Sequence, residues 1–495
     1  MEKNMKTLQK RVDERLLKKL PSLTIYEIIV LLLALGLYLY WASRITFDYT
    51  ITSAPDERMR FLLPEFIFNH NRLPSGYDPE VIYRMGNWSY AFYPQWIGPI
   101  FSAFFMQMAS LIRSGPFVLV FAARLTSVLA GVTTVFFVNR TLRVLTKDKT
   151  ISLLGMALVA FWPQFAFLSS YVNNDIIAVA GVSIMCYALA VSLREKWTIK
   201  SSFTLGIGMA VCLLSYLNSA GFVLAFGLYF LVSNIIDIKK KQTDKKAFRQ
   251  CFITVFLVVA ILWFPFLVRN GVLYEGDVLG MSSFNAVMVE WEQNESMAWA
   301  ETNAWYWSFY HDIPWDENTV FRWIEEWTHF QYRGGYLSAG NPYGGTLFEL
   351  LGERTWVRNT VQSFITTIYF AYTRHFPRVV YFPYLLLMAT PLLGLLEIKK
   401  LKTKEICFLV SCIFGSIITI SLFLYYNLTT DMQSQGRYLM TILPPLMIGA
   451  ALGIGTLFEK TIKAEGLKKG LVYSGVVIQM GMALMVLREF MRLFL

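Results

Sequence analysis

Two carboxylates and two guanidiniums fall within one short stretch, Asp56-Glu57-Arg58-Met59-Arg60, just past the first long apolar run. Ionisable groups so close to a membrane are costly unless they are paired or in use, so the stretch marks a candidate site. A carboxylate there can take the proton of an attacking hydroxyl, which suits an inverting transfer with a single base. Asp56 and Glu57 are neighbours whose side chains diverge, so one of this catalytic pair is expected to do the chemistry, and Asp56 is the choice. Arg58 and Arg60 would keep that carboxylate ionised and could bind phosphate. The same residues also fit a capped interfacial helix, since Asp near a helix start with Pro55 before it is common.

Three further stretches could complete a site. Asn173-Asn174-Asp175 opens an apolar run. Asp175, with Asn173, is expected to bind a sugar hydroxyl or an acceptor, although the stretch also reads as a plain helix cap. Gln435-Gly436-Arg437-Tyr438 opens a later run. Arg437 can fork two hydrogen bonds onto a phosphate or carboxylate, and Gly436 lets a ligand near the backbone. A snorkelling arginine is the ordinary alternative. Arg269-Asn270 and Glu275-Gly276-Asp277 follow another run and put Arg269 and Asp277 among the expected substrate-positioning residues, with Gln435 and Tyr438. The four histidines and five cysteines show no metal spacing.

The elements that must position these residues are membrane helices. The chain has 495 residues, 55% of them hydrophobic and only 16% charged. Soluble domains carry about a quarter charged residues. The net charge of +11 comes from lysines and arginines clustered just outside the apolar runs. That is the pattern of orientation signals and lipid-headgroup contacts, not of a nucleic-acid binder.

About eleven spans are predicted, with the basic segment 1–22 lying on the cytoplasmic surface as an amphipathic helix. Residues 23–268 read as a transmembrane module with a first outer loop at 46–116. Residues 93–112, which carry Pro94 and Pro99, read as a helix along the outer interface. Residues 269–378 form a Trp-rich extracytoplasmic segment, and 379–495 return to the membrane. Eight of the fourteen tryptophans lie there: Trp291, Trp299, Trp305, Trp307, Trp315, Trp323, Trp327 and Trp356. Most suit an interfacial aromatic belt, and a few would suit sugar rings. With every basic cluster inside, all the polar motifs named above emerge on the outer face.

The order of motifs resembles the GT-C membrane glycosyltransferases. It is most similar to a bacterial membrane family with Pro-Asp-Glu, an Asn-x-Asp span start, Arg-Asn before Gly-Asp-x-x-Gly, and Gln-Gly-Arg-Tyr. Here these are Pro55-Asp56-Glu57, Asn173-Asn174-Asp175, Arg269-Asn270 with Gly276-Asp277-Val278-Leu279-Gly280, and Gln435-Gly436-Arg437-Tyr438. One departure is Arg60, where the family often has His.

The resemblance implies an all-α bundle in a bacterial plasma membrane, with the N-terminus cytoplasmic. It implies a sugar donor on a polyprenyl phosphate and an acceptor that is a cell-wall polymer or lipid-linked glycan. Asp56 would act without a covalent intermediate, and Arg437 would hold the lipid phosphate. No cofactor is implied, with a divalent cation expected only for a pyrophosphate donor. Two other functions compete: a flippase for lipid-linked saccharide, which would want internal repeats and polar residues at mid-depth, and a non-catalytic partner of a polymer synthase.

Overall fold

The computed structural model describes residues 22–47, 54–83, 89–146, 148–284, 286, 347–352, 354–366, 378–429 and 434–494. It is nearly all helical. In chain order the helices are α1 (Ile25–Arg44), α2 (Glu57–His70), α3 (Ile97–Ser110), α4 (Pro116–Leu145), α5 (Lys149–Ala160), α6 (Pro163–Leu168), α7 (Asp175–Arg194) and α8 (Ile199–Leu213). They continue with α9 (Ala220–Lys239), α10 (Lys245–Leu273), α11 (Leu347–Gly352), α12 (Arg354–Ile365), α13 (Arg378–Ala389), α14 (Thr403–Thr429), α15 (Leu443–Thr461) and α16 (Glu465–Phe494).

Nine helical stretches among the described residues are long and apolar enough to cross a membrane, which makes this a multi-pass membrane protein. The spans expected at 151–168 and in the first half of 202–236 are shorter than that. α5 stops at Ala160, and Pro163, which cannot continue the hydrogen-bond ladder, starts α6 afresh. α8 ends at Leu213, before the tight turn Leu217–Ser219 leads into α9. α3 has 14 residues, about 21 Å of helix, too short to cross. Of the eight tryptophans in the segment 269–378 only Trp356 lies within the described residues. It stacks on Phe423 and donates from Nε1 to Asn427 Oδ1 at 2.9 Å, which fixes α12 to α14.

α7 is the axis. It is buried along nearly its whole length, packed by α4 on one side and α8 on another. α10, by contrast, exposes apolar side chains along almost its full length, as a helix bathed in lipid does. Buried ion pairs fasten both ends of the bundle. At one end Arg143, in the last turn of α4, meets Glu27 in the first turn of α1 at 2.9 Å, and Asn139 donates to the same carboxylate. Lys404–Asp237 and Lys468–Asp148 close further loops at that end. The opposite end carries the C-terminus of α1, the N-termini of α2, α4 and α7, and the turn before α15. The candidate site lies there.

Candidate active site at the Asp56 end of the bundle

Asp56 stands at the start of α2 with φ 59° and ψ 2°, in the left-handed region that a side chain tolerates only at a cost. Such strain persists where the surroundings impose it. Its carboxylate makes no cap bond to the helix. Instead Oδ2 accepts from Arg437 Nη2 at 2.5 Å, which disposes of the capped-helix alternative. Burial alone would push the Asp56 carboxyl up, but Arg437 and Arg60 outweigh it and hold the group below the ordinary carboxylate value.

Arg437 sits in a short 3-10 turn, Gly436–Ile442, ahead of α15. Nη2 also reaches the Tyr438 hydroxyl at 2.9 Å, and Nη1 leans toward the Pro55 carbonyl at 3.4 Å. Its buried Nε has no hydrogen-bond partner. Gly436 is required by packing, because a Cβ there would lie 2.3 Å from both Thr360 O and Phe364 N of α12. Ser363 Oγ accepts from Gly436 N at 2.7 Å, so α12 and the Arg437 turn move as one.

Arg60, one turn along α2, is 6% exposed and lies over the Tyr90 ring at 5.0 Å. Its Nε is likewise unpartnered. Burial works against its charge, yet Tyr90, Asp175 and Asp56 more than offset this and hold it charged. Asp175, the first residue of α7, is 1% exposed, and neither of its carboxylate oxygens has a hydrogen-bond partner. It lies in the field of Arg60, Arg437 and Asp56. A half-buried carboxylate, Asp56, a buried one, Asp175, and two buried guanidiniums thus lie together, with unpartnered atoms on Asp175, Arg60 and Arg437. A buried polar atom left unsatisfied is costly, so such atoms call for a ligand. A narrow cleft lined by Arg60, Pro99, Ser102, Ser127 and Asn174 adjoins it.

Glu57 turns the other way. It was expected beside Asp56 in the catalytic pair, but its carboxylate is fully buried against Arg124 of α4, with Arg124 Nε to Oε1 at 2.7 Å and Nη2 to Oε2 at 2.6 Å. Val172 N also donates to Glu57 Oε1 at 2.8 Å, while Arg124 Nη1 donates to Ala42 O and Ile45 O. One pair therefore joins the end of α1, the start of α2 and the approach to α7. It fixes the residues on either side of the site: Asp56 precedes Glu57, and Asp175 follows Val172 by three. Arg124 escaped the sequence reading, although a lone arginine inside the apolar run 116–138 was itself the signal.

The other expected residues are engaged elsewhere. Arg58 lies over the Phe47 ring at 5.0 Å. Asn173 takes the capping role considered for Asp175, with Oδ1 accepting from Ile176 N at 3.0 Å and Nδ2 donating to Leu168 O and Tyr171 O. Arg269 reaches the Pro74 carbonyl and lies over the Trp96 ring at 5.0 Å. Asp277 Oδ2 accepts from Ser283 N at 2.8 Å. Gln435 begins the 3-10 turn, where its carbonyl accepts from Tyr438 N. Tyr438 does line the site, stacked near Tyr216 at 6.5 Å between ring centres.

Known proteins share this architecture. Residues 98–264, less than half of the chain, match the family model described as dolichyl-phosphate-mannose-protein mannosyltransferase. The oligosaccharyltransferase AglB of Archaeoglobus fulgidus, solved with an inhibitory peptide and a dolichol-phosphate, superposes over 93% of this chain with a TM-score of 0.50 and 16% identity. The two chains share one fold. This chain spans 55% of the AglB chain. ArnT of Cupriavidus metallidurans, bound to undecaprenyl phosphate, aligns over 94% of this chain and 72% of its own, with a TM-score of 0.49 and 12% identity. No curated protein matches the sequence.

A further AglB structure is described as a complex with Zn and sulfate. In this chain no three His, Cys, Asp or Glu side chains cluster as metal ligands among the described residues. The site offers Asp56, already paired with Arg437, and Asp175, with Arg60 and Arg437 beside it. Two carboxylates among two guanidiniums are a poor donor set for a divalent cation, which wants several oxygen ligands and no competing cation.

Proposed function

We propose that the protein is an inverting glycosyltransferase. It moves a sugar from a polyprenyl-phosphate carrier to a cell-surface polymer or lipid-linked glycan, at the extracytoplasmic face of a plasma membrane. The observation that carries this reading is the enclosure itself, in which the Asp56 carboxylate is held by Arg437 while Arg60 and Asp175 keep unpartnered atoms beside it.

In the proposed reaction the acceptor hydroxyl oxygen bonds to the anomeric carbon on the face opposite the phosphate. The bond from that carbon to the phosphate oxygen breaks, and its electron pair leaves with the polyprenyl phosphate. Asp56 takes the hydroxyl proton. A carboxylate paired with arginine is a weak base, so it accepts the proton late, once the anomeric carbon is already electron-poor. Arg60 and the unpartnered Nε of Arg437 are suited to the charge gathering on the phosphate, where preorganised donors act most strongly. Asp175 has two free oxygens for sugar or acceptor hydroxyls, and Tyr438 supplies an aromatic wall.

Residues 23–268 supply the carboxylates and residues 379–495 supply Arg437, so both membrane portions are needed. The sidedness follows from charge. Lys239, Lys240, Lys399, Lys400 and Lys460 gather at the end opposite Asp56, which supports a cytoplasmic position for that end. An external site has no nucleotide sugars, which favours a lipid-carried donor. The test compares surface glycans of cells lacking the protein with cells given it back. Loss and return of one sugar substituent names the donor, and unchanged glycans with altered export of lipid-linked saccharide would replace this reading with a flippase.

A further inference from the structure

The stretch from Arg269 to Gly280 stands outside the chemistry just described, yet Arg269, Asn270 and Tyr274 all reach the backbone of residues 74–92. Asn270, fully buried at the end of α10, donates from Nδ2 to Phe92 O at 2.8 Å. The Tyr274 hydroxyl donates to Ala91 O at 3.2 Å and accepts from Gly76 N at 2.9 Å. Gly280, at φ 69°, is pressed so closely on Phe92 that a Cβ would lie 1.8 Å from the Phe92 carbonyl oxygen. The rings of Tyr77, Phe92, Tyr274 and Phe284 pack around these bonds. All of them converge on the 3-10 turn Tyr90–Phe92. The first residue of that turn is Tyr90, whose ring lies under Arg60.

We infer that Arg269–Gly280 is a clasp that sets Arg60 through Tyr90, which makes Asn270 and Tyr274 positioning residues of the active site. The inference rests on the reading of Arg60 as a phosphate contact beside Asp56. Two carbonyls in succession, those of Ala91 and Phe92, are gripped from α10 and the segment after it. The Tyr90 side chain is therefore fixed by its own backbone. Arg60 has Tyr90 as its ring contact and an unpartnered Nε, so the ring restrains the guanidinium plane while Asp56 and Asp175 attract its charge. A displacement of about 1 Å at such a contact can cost two orders of magnitude in rate.

The experiment uses full-length protein in membranes, with lipid-linked sugars extracted from the source cells as donor probe. Asn270→Ala, Tyr90→Leu, the double variant and Asp56→Asn are compared at matched abundance. Because the first two act on one contact, the double variant should lose no more transfer than the worse single, about tenfold or more. Phenylglyoxal labelling of Arg60, read by mass spectrometry, should rise several-fold in Asn270→Ala while labelling of buried Arg124 stays at the wild-type level. Multiplicative losses in the double variant, or equal rises at Arg60 and Arg124, would show a clasp that merely holds the loop together and would overturn the inference. If Asp56→Asn retains transfer, the base assignment fails, and the labelling of Arg60 against Arg124 still decides for or against the clasp.

Discussion

Arg437 donates from Nη2 to Asp56 Oδ2 at 2.5 Å across 381 positions of chain. The contact closes the bundle on itself, because α2 follows the first span and Arg437 opens a late one. It also fixes the protonation of the candidate base. The carboxylate remains charged, and its strength as a base depends on what else engages the guanidinium. A donor phosphate drawing on Arg437 would lower the positive field at Asp56 and make it a better base once the donor is in place.

The pH dependence follows with a definite sign. Asp56 is held below its ordinary value, so it stays ionised as pH falls past the usual carboxylate range. The acid limb of kcat/KM should therefore lie below about pH 4. The stability contributed by the Asp56–Arg437 pair is present above the unfolded carboxyl value and is lost as pH falls through the lower folded value. Arg437→Gln should move the acid limb upward, since burial would then act with Arg60 alone to oppose it. An acid limb unmoved by that substitution would show that another group sets it.

Breaking the other buried pair should cost stability more than chemistry. Arg124→Met leaves the buried Glu57 carboxyl without its partner, a loss of about 3–5 kcal/mol. Adding Glu57→Gln should recover part of that loss. Thermal unfolding in detergent measures both. A single Arg124→Met variant as stable as wild type would mean that the pair does not anchor α1, α2 and the approach to α7.

Gly436→Ala should be harmful out of proportion to one methyl group. The added Cβ meets backbone atoms of α12 on two sides, and backbone cannot swing aside as a side chain does. Overpacking of this kind costs about 1–3 kcal/mol. Because Arg437 is the next residue, transfer should fall together with the unfolding temperature. Unchanged activity and stability would indicate that α12 yields freely.

The sequence was most informative where a charge had no business being. Asp56, Arg60, Asp175 and Arg437 all stand at the ends of apolar runs, and the cost of such placements singled out residues that the structure brings together. Arg124 obeys the same rule, but it lies within a run, where the period of the apolar residues hid it. Arg269 and Asp277 misled in the opposite direction. Their types suit ligands, whereas the structure spends them on the Pro74 carbonyl and the Ser283 amide, and no local pattern announces a backbone partner 195 residues away. The turn expected near Asn218-Ser219 is present at Leu217–Ser219, whereas the helix length failed at Pro163. There, apolar composition continues across a break that hydrogen bonding imposes.

The most direct test of the account is transfer by Asp56→Asn, purified at full length and supplied with the lipid-linked sugars of its own cells. Asparagine keeps the size of the side chain and can still face Arg437, but it cannot take the acceptor proton. The account predicts wild-type abundance and a folded protein, with transfer reduced by about 10²-fold or more. Transfer at the wild-type rate would contradict it and leave Asp56 as a structural charge.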